Sequence, residues 1–106
     1  KEFDGVKYTY IGDIDDFENK IGQSFHVNGT PVAVFKIDNQ VHAYSNVCSH
    51  QKGPICKSTV ENGYLVCPWH RFQYGVKNGE GPPGFNDKIA YYQTIVEDGN
   101  IWVSVD

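Results

Sequence analysis

The sequence predicts an all-β protein built from short antiparallel strands. Eleven Gly and five Pro in 106 residues indicate many turns, and frequent turns are typical of folds made of short strands. No stretch of ten residues or more repeats its apolar side chains at helical spacing. A chain of this length supports a single hydrophobic core, so we expect one domain over residues 1–106.

Both ends of the chain predict strands. The alternation in VKYTYI (6–11) favours a strand, and the acids of GDIDDFEN (12–19) favour a single helical turn. Near the C-terminus, IAYYQTIVE (89–97) and NIWVSV (100–105) flank Asp98-Gly99. An Asp-Gly pair between two apolar strands is a strong hairpin signal.

A three-stranded meander is predicted between these ends. SFHVN (24–28) and PVAVFKID (31–38) flank the hairpin signal Asn28-Gly29. The following Thr30-Pro31 predicts that this loop is longer than two residues. QVHAYS (40–45) then forms the third strand.

The middle of the chain differs in charge from both ends. Residues 46–85 hold four bases and two acids, a net charge of +2, whereas the remainder holds five bases and eleven acids, a net charge of −6. We therefore predict an antiparallel base from residues 1–45 and 86–106, in a sandwich or barrel-like arrangement, and a small subdomain over 46–85. The overall charge of −4 argues against nucleic acid as a partner.

The sequence contains no apolar run of the roughly 18–20 residues that span a bilayer. Nothing in Lys1–Tyr10 resembles a secretory leader. The chain has no Met, even at position 1. The sequence therefore leaves open whether an upstream segment, such as a membrane anchor, belongs to the protein. Three cysteines are an odd number for a disulfide framework, which favours a reducing compartment and metal binding.

Two mixed Cys/His pairs dominate the middle of the chain. Cys48 stands two residues before His50, and Cys67 stands three residues before His70. Ligands paired on short loops converge with little loss of chain entropy. Structural zinc sites usually place two cysteines on one knuckle and two histidines on a helix, and this chain predicts no such helix. The two similar pairs indicate a binuclear centre held from two sides.

This Cys-x-His … Cys-x-x-His pattern, with sixteen residues between the pairs, resembles the signature of Rieske 2Fe–2S proteins. AYSNVCSHQKGPI, GYLVCPWHRFQYGVKNGE and the terminal hairpin are similar to Rieske ferredoxins as well. The resemblance implies one 2Fe–2S cluster, with Cys48 and Cys67 on one iron and His50 and His70 on the other through Nδ1. Rieske centres have potentials of about −150 to +300 mV, against about −400 mV for plant-type ferredoxins.

The third cysteine bears on the subclass of Rieske protein. High-potential respiratory members brace the cluster with a disulfide, whose two positions are Gly53 and Trp69 in this chain. That bridge cannot form here, so the chain resembles the disulfide-free ferredoxins. Cys56 is left as a lone thiol, and we expect it to act as a small buried apolar residue.

Four more residues are predicted to tune or cover the cluster. Tyr74 can donate a hydrogen bond to a cluster ligand, whereas Phe72 has no donor. Trp69 and Arg71 flank His70 in sequence. Arg71 with Lys52 can form a positive rim that docks an acidic partner or tunes the cluster, and the alternative is an ordinary exposed Arg. Pro82, within GEGPPGF (79–85), resembles the proline-rich loop that covers the cluster in this family.

Other chemistry-bearing residues have simpler interpretations. We expect His26 and His42 to be packing or surface histidines, because no other ligand-type residues stand near them. The acids around 13–18 favour a solvated helical turn over a metal site or a docking patch. No nucleophile elbow, phosphate loop or dinucleotide motif is present in the sequence.

The resemblance implies an electron carrier with no enzymatic activity and no small-molecule substrate of its own. Such ferredoxins pass one electron from a flavin reductase to a terminal oxygenase, or serve another redox partner, and we expect a cytoplasmic location. Two alternatives stay open. One is an accessory subunit like the small subunit of assimilatory nitrite reductases. The other is a structural zinc domain, which metal and sulfide analysis would reveal.

Overall fold

The computed structural model describes residues 2–46, 55–67, 73–81, 83 and 88–105. Within these ranges the chain forms eleven strands and two single 3₁₀ turns, Ile14–Asp16 and Ile55–Lys57. The strands are β1 (Glu2–Phe3), β2 (Val6–Lys7), β3 (Thr9–Asp13), β4 (Gly22–Val27), β5 (Thr30–Ile37), β6 (Gln40–Ser45), β7 (Thr59–Glu61), β8 (Tyr64–Val66), β9 (Gln73–Gly75), β10 (Tyr91–Glu97) and β11 (Asn100–Ser104).

Most strands belong to one antiparallel sheet, called the large sheet below. Its six strands follow the order β3-β11-β10-β6-β5-β4. Strand β10 joins its two halves, because β10 pairs with β11 on one side and with β6 on the other. A second sheet of three strands, the small sheet, has the order β7-β8-β9, and β1 and β2 form a separate hairpin.

The large sheet curves around a core of its own, called the inner core below. Val27 and Val32 from one end of the sheet pack in the same cluster as Ile101 and Val103 from the other end. A flat sheet would hold these strands apart, so the sheet is barrel-like. The other buried members of the inner core are Phe17, Val34, Val41 and Ala43.

A second core joins the two sheets and is called the shared core below. Its buried members from the large sheet are Ala33, Phe35, Ile37 and Tyr44. Its other buried members are Ile55, Leu65, Cys67, Tyr74, Val76 and Ile89. Since successive side chains of β5 point to opposite faces, the alternation that places Val34 inside the barrel also places Ala33 and Phe35 against the small sheet.

The hairpin between β4 and β5 is tighter than the sequence predicts. Val27 pairs directly with Thr30, so the loop contains only Asn28 and Gly29. The φ angles of these two residues are 51° and 81°, as a type I′ turn requires. The prediction that Thr30-Pro31 lengthens the loop is therefore wrong. Pro31 is the second residue of β5, and its carbonyl accepts a hydrogen bond from Asn46 N at 3.0 Å.

The N-terminal strand prediction is correct in part. Residues 6–11 are divided between β2 and β3, and the hairpin of β1 and β2 was not predicted. Its turn is Asp4-Gly5, with φ of 52° and 80°, so the Asp-Gly signal was present in the sequence. The predicted helical turn is confirmed as a 3₁₀ turn, which Asp13 caps by accepting from Asp15 N at 2.9 Å.

The described residues form the all-β architecture that the sequence predicts. The small sheet lies entirely within 46–85, and every strand of the large sheet lies outside that range. The boundaries of the predicted subdomain themselves stay a prediction. Over the described part of the chain, no helix has the length and apolar character needed to cross a membrane.

Candidate metal centre

Cys67 is the predicted ligand that the structure places. It directly follows strand β8 and is fully buried, with 0% of its surface exposed. Cys48, His50 and His70 lie outside the described residues. The residues on either side of them show where the chain enters and leaves each ligand-bearing segment.

Asn46 lies directly before the segment that carries Cys48 and His50, and it forms hydrogen bonds with the two residues that directly follow that segment. Its carbonyl accepts a hydrogen bond from Ile55 N at 3.1 Å. The Asn46 side chain accepts a second bond from Cys56 N, with 2.8 Å between Oδ1 and N. The described residues on either side of 47–54 are therefore neighbours at the end of β6.

The segment that carries His70 also starts and finishes at adjacent points. Residues 68–72 lie between Cys67 and Gln73, and Gln73 pairs with Val66 across β8 and β9. The two ends of this segment are thus neighbours in the small sheet. Cys67 sits where β8 passes into it.

The predicted covering segment, which includes Pro82, is bounded in a similar way. Ile89 N donates to Gly79 O at 2.9 Å, and Glu80 and Lys88 form an isolated antiparallel bridge. Pro82 itself lies outside the described residues. Ala90 then accepts a hydrogen bond from Ser45 N at 2.9 Å, which ties this segment to the end of β6.

All three segments start or end beside the shared core. Ile55, Cys67, Tyr74 and Ile89 stand next to or near the segment ends, and all four belong to this one buried cluster. The fold therefore brings the described ends of the segments that carry both Cys/His pairs to one place. Proximity of this kind is the geometric condition for four ligands on one centre.

Tyr74 lies on the same face of the small sheet as Cys67. Tyr74 pairs with Leu65 across the strands, and Leu65 and Cys67 are two residues apart, so their side chains point the same way. Tyr74 and Cys67 are diagonal neighbours, a relation that spans roughly 7–8 Å and is within reach of an aromatic side chain. Trp69 and Arg71 lie outside the described residues.

A buried tyrosine joins the large sheet to the small-sheet region. The Tyr44 hydroxyl donates a hydrogen bond to the carbonyl of Val76. Burial, with the nearby Tyr91 hydroxyl as a smaller cause, raises the pKa of Tyr44 well above its usual range. The hydroxyl consequently keeps its proton and acts as a donor across the shared core.

The two framework histidines are placed as the sequence predicts. His26 is exposed on β4, whereas His42 is buried on β6 with 8% of its surface exposed. The His42 Nδ1 and the Tyr91 hydroxyl oxygen are 2.8 Å apart. Burial lowers the pKa of His42, so the ring is neutral near pH 7 and serves packing and hydrogen bonding.

Cys56 lies at the edge of the shared core. It is half-buried, carries a free thiol and packs against the buried cluster. This agrees with the predicted role as a small apolar side chain, although burial is partial. The predicted disulfide positions, Gly53 and Trp69, lie outside the described residues.

The predicted donor set fits a mixed-ligand iron–sulfur cluster. Two thiols and two imidazoles are four donors, which is the number that a 2Fe–2S core takes from protein. Cys67 supplies a buried sulfur at the edge of an apolar core, and such surroundings keep water from the ligands. Within the described ranges alone, no three His, Cys, Asp or Glu side chains group closely enough to hold a metal ion.

Comparison with known proteins identifies the class. The family model of the Rieske [2Fe–2S] domain matches residues 7–83, so this chain belongs to that family. Its cofactor is accordingly a Rieske-type 2Fe–2S cluster, and its fold and function are those of a Rieske electron-transfer protein.

Three individual proteins illustrate the range of relatives. The chain is 26% identical to the ferredoxin component of the alkene monooxygenase system of Xanthobacter autotrophicus, over 99% of this chain and 87% of that protein. The ferredoxin of carbazole 1,9a-dioxygenase from Nocardioides aromaticivorans superposes with a TM-score of 0.87 and 21% identity, over 95% of this chain and all of that chain.

The third is a putative NADH-dependent nitrite reductase small subunit from Mycobacterium tuberculosis. It superposes with a TM-score of 0.85 and 20% identity, over 94% of this chain and 96% of that chain. At these identities the two structural matches show a shared fold alone. Because a ferredoxin and a reductase subunit match about equally well, the fold does not separate these two functions.

Sequence reasoning did not find the hydrogen bonds of Asn46. Its partners Ile55 and Cys56 follow nine and ten residues later, so no short motif marks the interaction. The one available signal was the position of Asn46 between a predicted strand and the first ligand. The contact between His42 and Tyr91 was missed for the same reason, since 49 residues separate the pair.

Proposed function

We propose that this chain is the ferredoxin component of a multicomponent oxygenase system. It receives one electron from a flavin reductase and delivers it to a terminal oxygenase in the cytoplasm, and it converts no small molecule itself. Support comes from the relative in the alkene monooxygenase system, which is matched over nearly the full length of both chains. The sequence also has no nucleophile elbow, phosphate loop or dinucleotide motif.

In this proposal Cys48 and Cys67 bind one iron, and His50 and His70 bind the other. The observation that carries the assignment is the convergence of the segment ends on the shared core, with Cys67 buried at the point of convergence. When bound, the cluster supplies a reversible one-electron couple. Both Cys/His pairs hold the cluster in this proposal, and each pair is carried by a separate segment of the chain.

The mixture of ligands sets the range of the reduction potential. Two thiolates and two neutral imidazoles contribute two negative charges, whereas four thiolates contribute four. Adding an electron to the less negative site is easier when part of that site is shielded from water. This is why Rieske centres lie at about −150 to +300 mV and plant-type ferredoxins near −400 mV.

Tyr74 is proposed to raise the potential within that range. Its position diagonal to Cys67 on one face of the small sheet supports a hydrogen bond from its hydroxyl to a ligand sulfur. Such a bond stabilises the more negative, reduced state. Trp69 and Pro82 are proposed to shield the cluster, which rests on their sequence positions alone.

The charge distribution supports a partner with an acidic docking surface. Residues 46–85 carry a net charge of +2 within a chain whose remainder carries −6. Lys52 and Arg71 stand next to the ligand histidines in sequence, so we propose that they form the positive rim. Opposite charges on the two partners accelerate association and weaken as salt is added.

Electron paramagnetic resonance on the dithionite-reduced protein, with a redox titration, tests the cofactor and its ligands. We expect a mixed-ligand 2Fe–2S signal with a potential above that of low-potential Rieske ferredoxins and below that of respiratory Rieske subunits. His50→Ala and Cys48→Ser are expected to abolish the signal and the visible colour. His26→Ala and Cys56→Ser are the matched controls, because both residues lie outside the proposed ligand set, and both variants should keep the signal.

Rapid-mixing kinetics tests the partners. The oxidised protein should accept one electron per cluster from a flavin reductase and return it to a terminal oxygenase, with rates that fall as salt rises. A colourless protein that co-purifies with a larger reductase would instead favour the accessory-subunit function. A single zinc without acid-labile sulfide would contradict both.

A further inference from the structure

Asn46 is the residue through which the large sheet holds the first ligand segment. Its backbone N–H donates to Pro31 O at 3.0 Å, which continues the pairing of β5 and β6 by one residue. Its carbonyl accepts from Ile55 N at 3.1 Å, and its side-chain Oδ1 accepts from Cys56 N at 2.8 Å. One residue thus bonds to the framework on one side and to the far end of segment 47–54 on the other.

The far end of that segment is itself held firmly. Ile55 is fully buried in the shared core, and its carbonyl accepts from Ser58 N at 2.9 Å to close the 3₁₀ turn. Cys56 lies tightly against β4, since a Cβ atom added at Gly22 would stand 2.5 Å from Cys56 O. Both ends of the segment are therefore fixed to the framework before any ligand is considered.

We propose that Asn46 is a positioning residue of the cluster site. Its hydrogen bonds hold the two described ends of segment 47–54 together, and this favours binding of the cluster by Cys48 and His50, which the segment carries. Cys48 is two residues and His50 four residues beyond Asn46, so their backbones stay within about 7 and 14 Å of it at full extension. Fixing the segment ends in advance lowers the entropy that cluster binding must remove.

The side chain, and not the backbone alone, carries this role. The bond between the carbonyl of Asn46 and Ile55 can form with any residue at position 46, but the bond to Cys56 N needs an acceptor oxygen on a short side chain. Asp provides one with the same geometry, whereas Ala does not. The inference rests on the proposed assignment of Cys48 and His50 as ligands.

A matched control exists within the chain. Asn19 Oδ1 accepts from Asp38 N at 2.8 Å, the same kind of bond at the same distance, but it ties together parts of the framework only. Asn19→Ala therefore removes an equivalent bond without touching segment 47–54. The test set is Asn46→Ala, Asn46→Asp and Asn19→Ala, all made in the protein with its cluster bound.

Two measurements are made on each protein. The first is hydrogen exchange at the Cys56 amide. The second is the rate at which the visible absorbance of the cluster is lost in the presence of an iron chelator. For Asn46→Ala we expect both rates to rise about 2- to 10-fold, the factor that corresponds to one net hydrogen bond. Asn46→Asp should restore both rates, and Asn19→Ala should accelerate exchange at Asp38 alone.

The outcomes separate this inference from the proposed function. Unchanged exchange at Cys56 in Asn46→Ala would overturn the closure of the segment. Faster exchange with an unchanged rate of cluster loss would overturn the positioning role. Failure of the ligand assignment would appear elsewhere, as a cluster signal that survives His50→Ala whatever residue occupies position 46.

Discussion

The two cores of this molecule differ in what they hold together. The inner core contains side chains from the large sheet and from Phe17, all within the framework. The shared core contains side chains from the large sheet, the small sheet and the turn at Ile55. The framework can thus complete its inner core with its own strands, whereas the shared core forms only when the ligand-bearing region is docked on β5 and β6.

This difference also appears in how each region is connected. The six strands of the large sheet are five to eight residues long. Two-residue turns join β4 to β5, β5 to β6 and β10 to β11, as one also joins β7 to β8 in the small sheet. The strands of the small sheet have three residues each. The small-sheet region depends in addition on contacts from afar, including the Tyr44 hydroxyl on Val76 O and the Asn46 side chain on Cys56 N. Stability of the framework and geometry of the site are therefore separable properties.

Truncation of Phe35 is expected to have the largest effect on stability. Phe35 is fully buried on β5 within the shared core. Phe35→Ala should lower the free energy of unfolding by about 3–5 kcal/mol and accelerate loss of the cluster. Val34→Ala on the opposite face should also destabilise the protein, by a smaller amount, while leaving the reduction potential unchanged. Urea unfolding and a redox titration measure both effects, and a shifted potential in Val34→Ala would contradict the separation.

The second effect is a change in the reduction potential of the cluster and not in the stability of the fold. Tyr74→Phe removes a hydroxyl on the face that Cys67 shares. A hydrogen bond to a charged group contributes about 1.5–3 kcal/mol, so the potential should fall by tens of millivolts to about 100 mV. Tyr64 is the control, because its side chain lies on the other face of the small sheet. Protein-film voltammetry should show no change in Tyr64→Phe, and an unchanged potential in Tyr74→Phe would remove the tuning role.

A smaller effect, of opposite sign, is expected at Ser58. Its hydroxyl is buried, and among the described residues it has no hydrogen-bond partner. A buried hydroxyl without a partner costs about 1–3 kcal/mol, so Ser58→Ala should stabilise the protein by roughly 1 kcal/mol. Ser24→Ala, at an exposed position on β4, should change stability little. Thermal unfolding of the two variants distinguishes them, and a lower melting temperature in Ser58→Ala would be the contrary result.

The smallest effect is a pH dependence that originates at His42. Burial lowers the pKa of His42 below its ordinary value of 6.5. The unfolded chain therefore takes up a proton at this residue before the folded chain does, and stability falls as the pH drops below about 6.5. His42→Gln should flatten the decline of the unfolding free energy between pH 7 and pH 5. Equal slopes in the two proteins would show that His42 plays no part.

The sequence predicted the framework more closely than it predicted the ligand-bearing region. In the framework, alternating β-branched and aromatic residues with Asn-Gly and Asp-Gly turns predicted β5, β6, β10 and β11 closely. These signals are local, since a two-residue turn and a period of two fix the register. A longer loop was predicted at Thr30-Pro31 because Pro is unusual within a strand. The preceding Asn28-Gly29 signal nevertheless determines the turn.

In the ligand-bearing region the motif predicted chemistry better than structure. Cys67 was identified from its spacing to His70, and its burial agrees with a ligand role. Strand β7 was missed although Asn62-Gly63, which joins it to β8, is the same hairpin signal as Asn28-Gly29. The bonds of Asn46 were not predicted, because their partners follow nine and ten residues later. Ser58 shows the limit most clearly, since no sequence pattern indicates that its buried hydroxyl has no partner among the residues that the structure describes.

The central claim is that two thiolates bind one iron and two imidazoles bind the other. Pulsed electron paramagnetic resonance on the dithionite-reduced protein tests it directly, with histidine at natural abundance and with ¹⁵N-labelled histidine. We predict couplings from two histidine nitrogens that change on labelling and disappear together with the cluster in His50→Ala. A reduced 2Fe–2S signal without histidine couplings would contradict the claim.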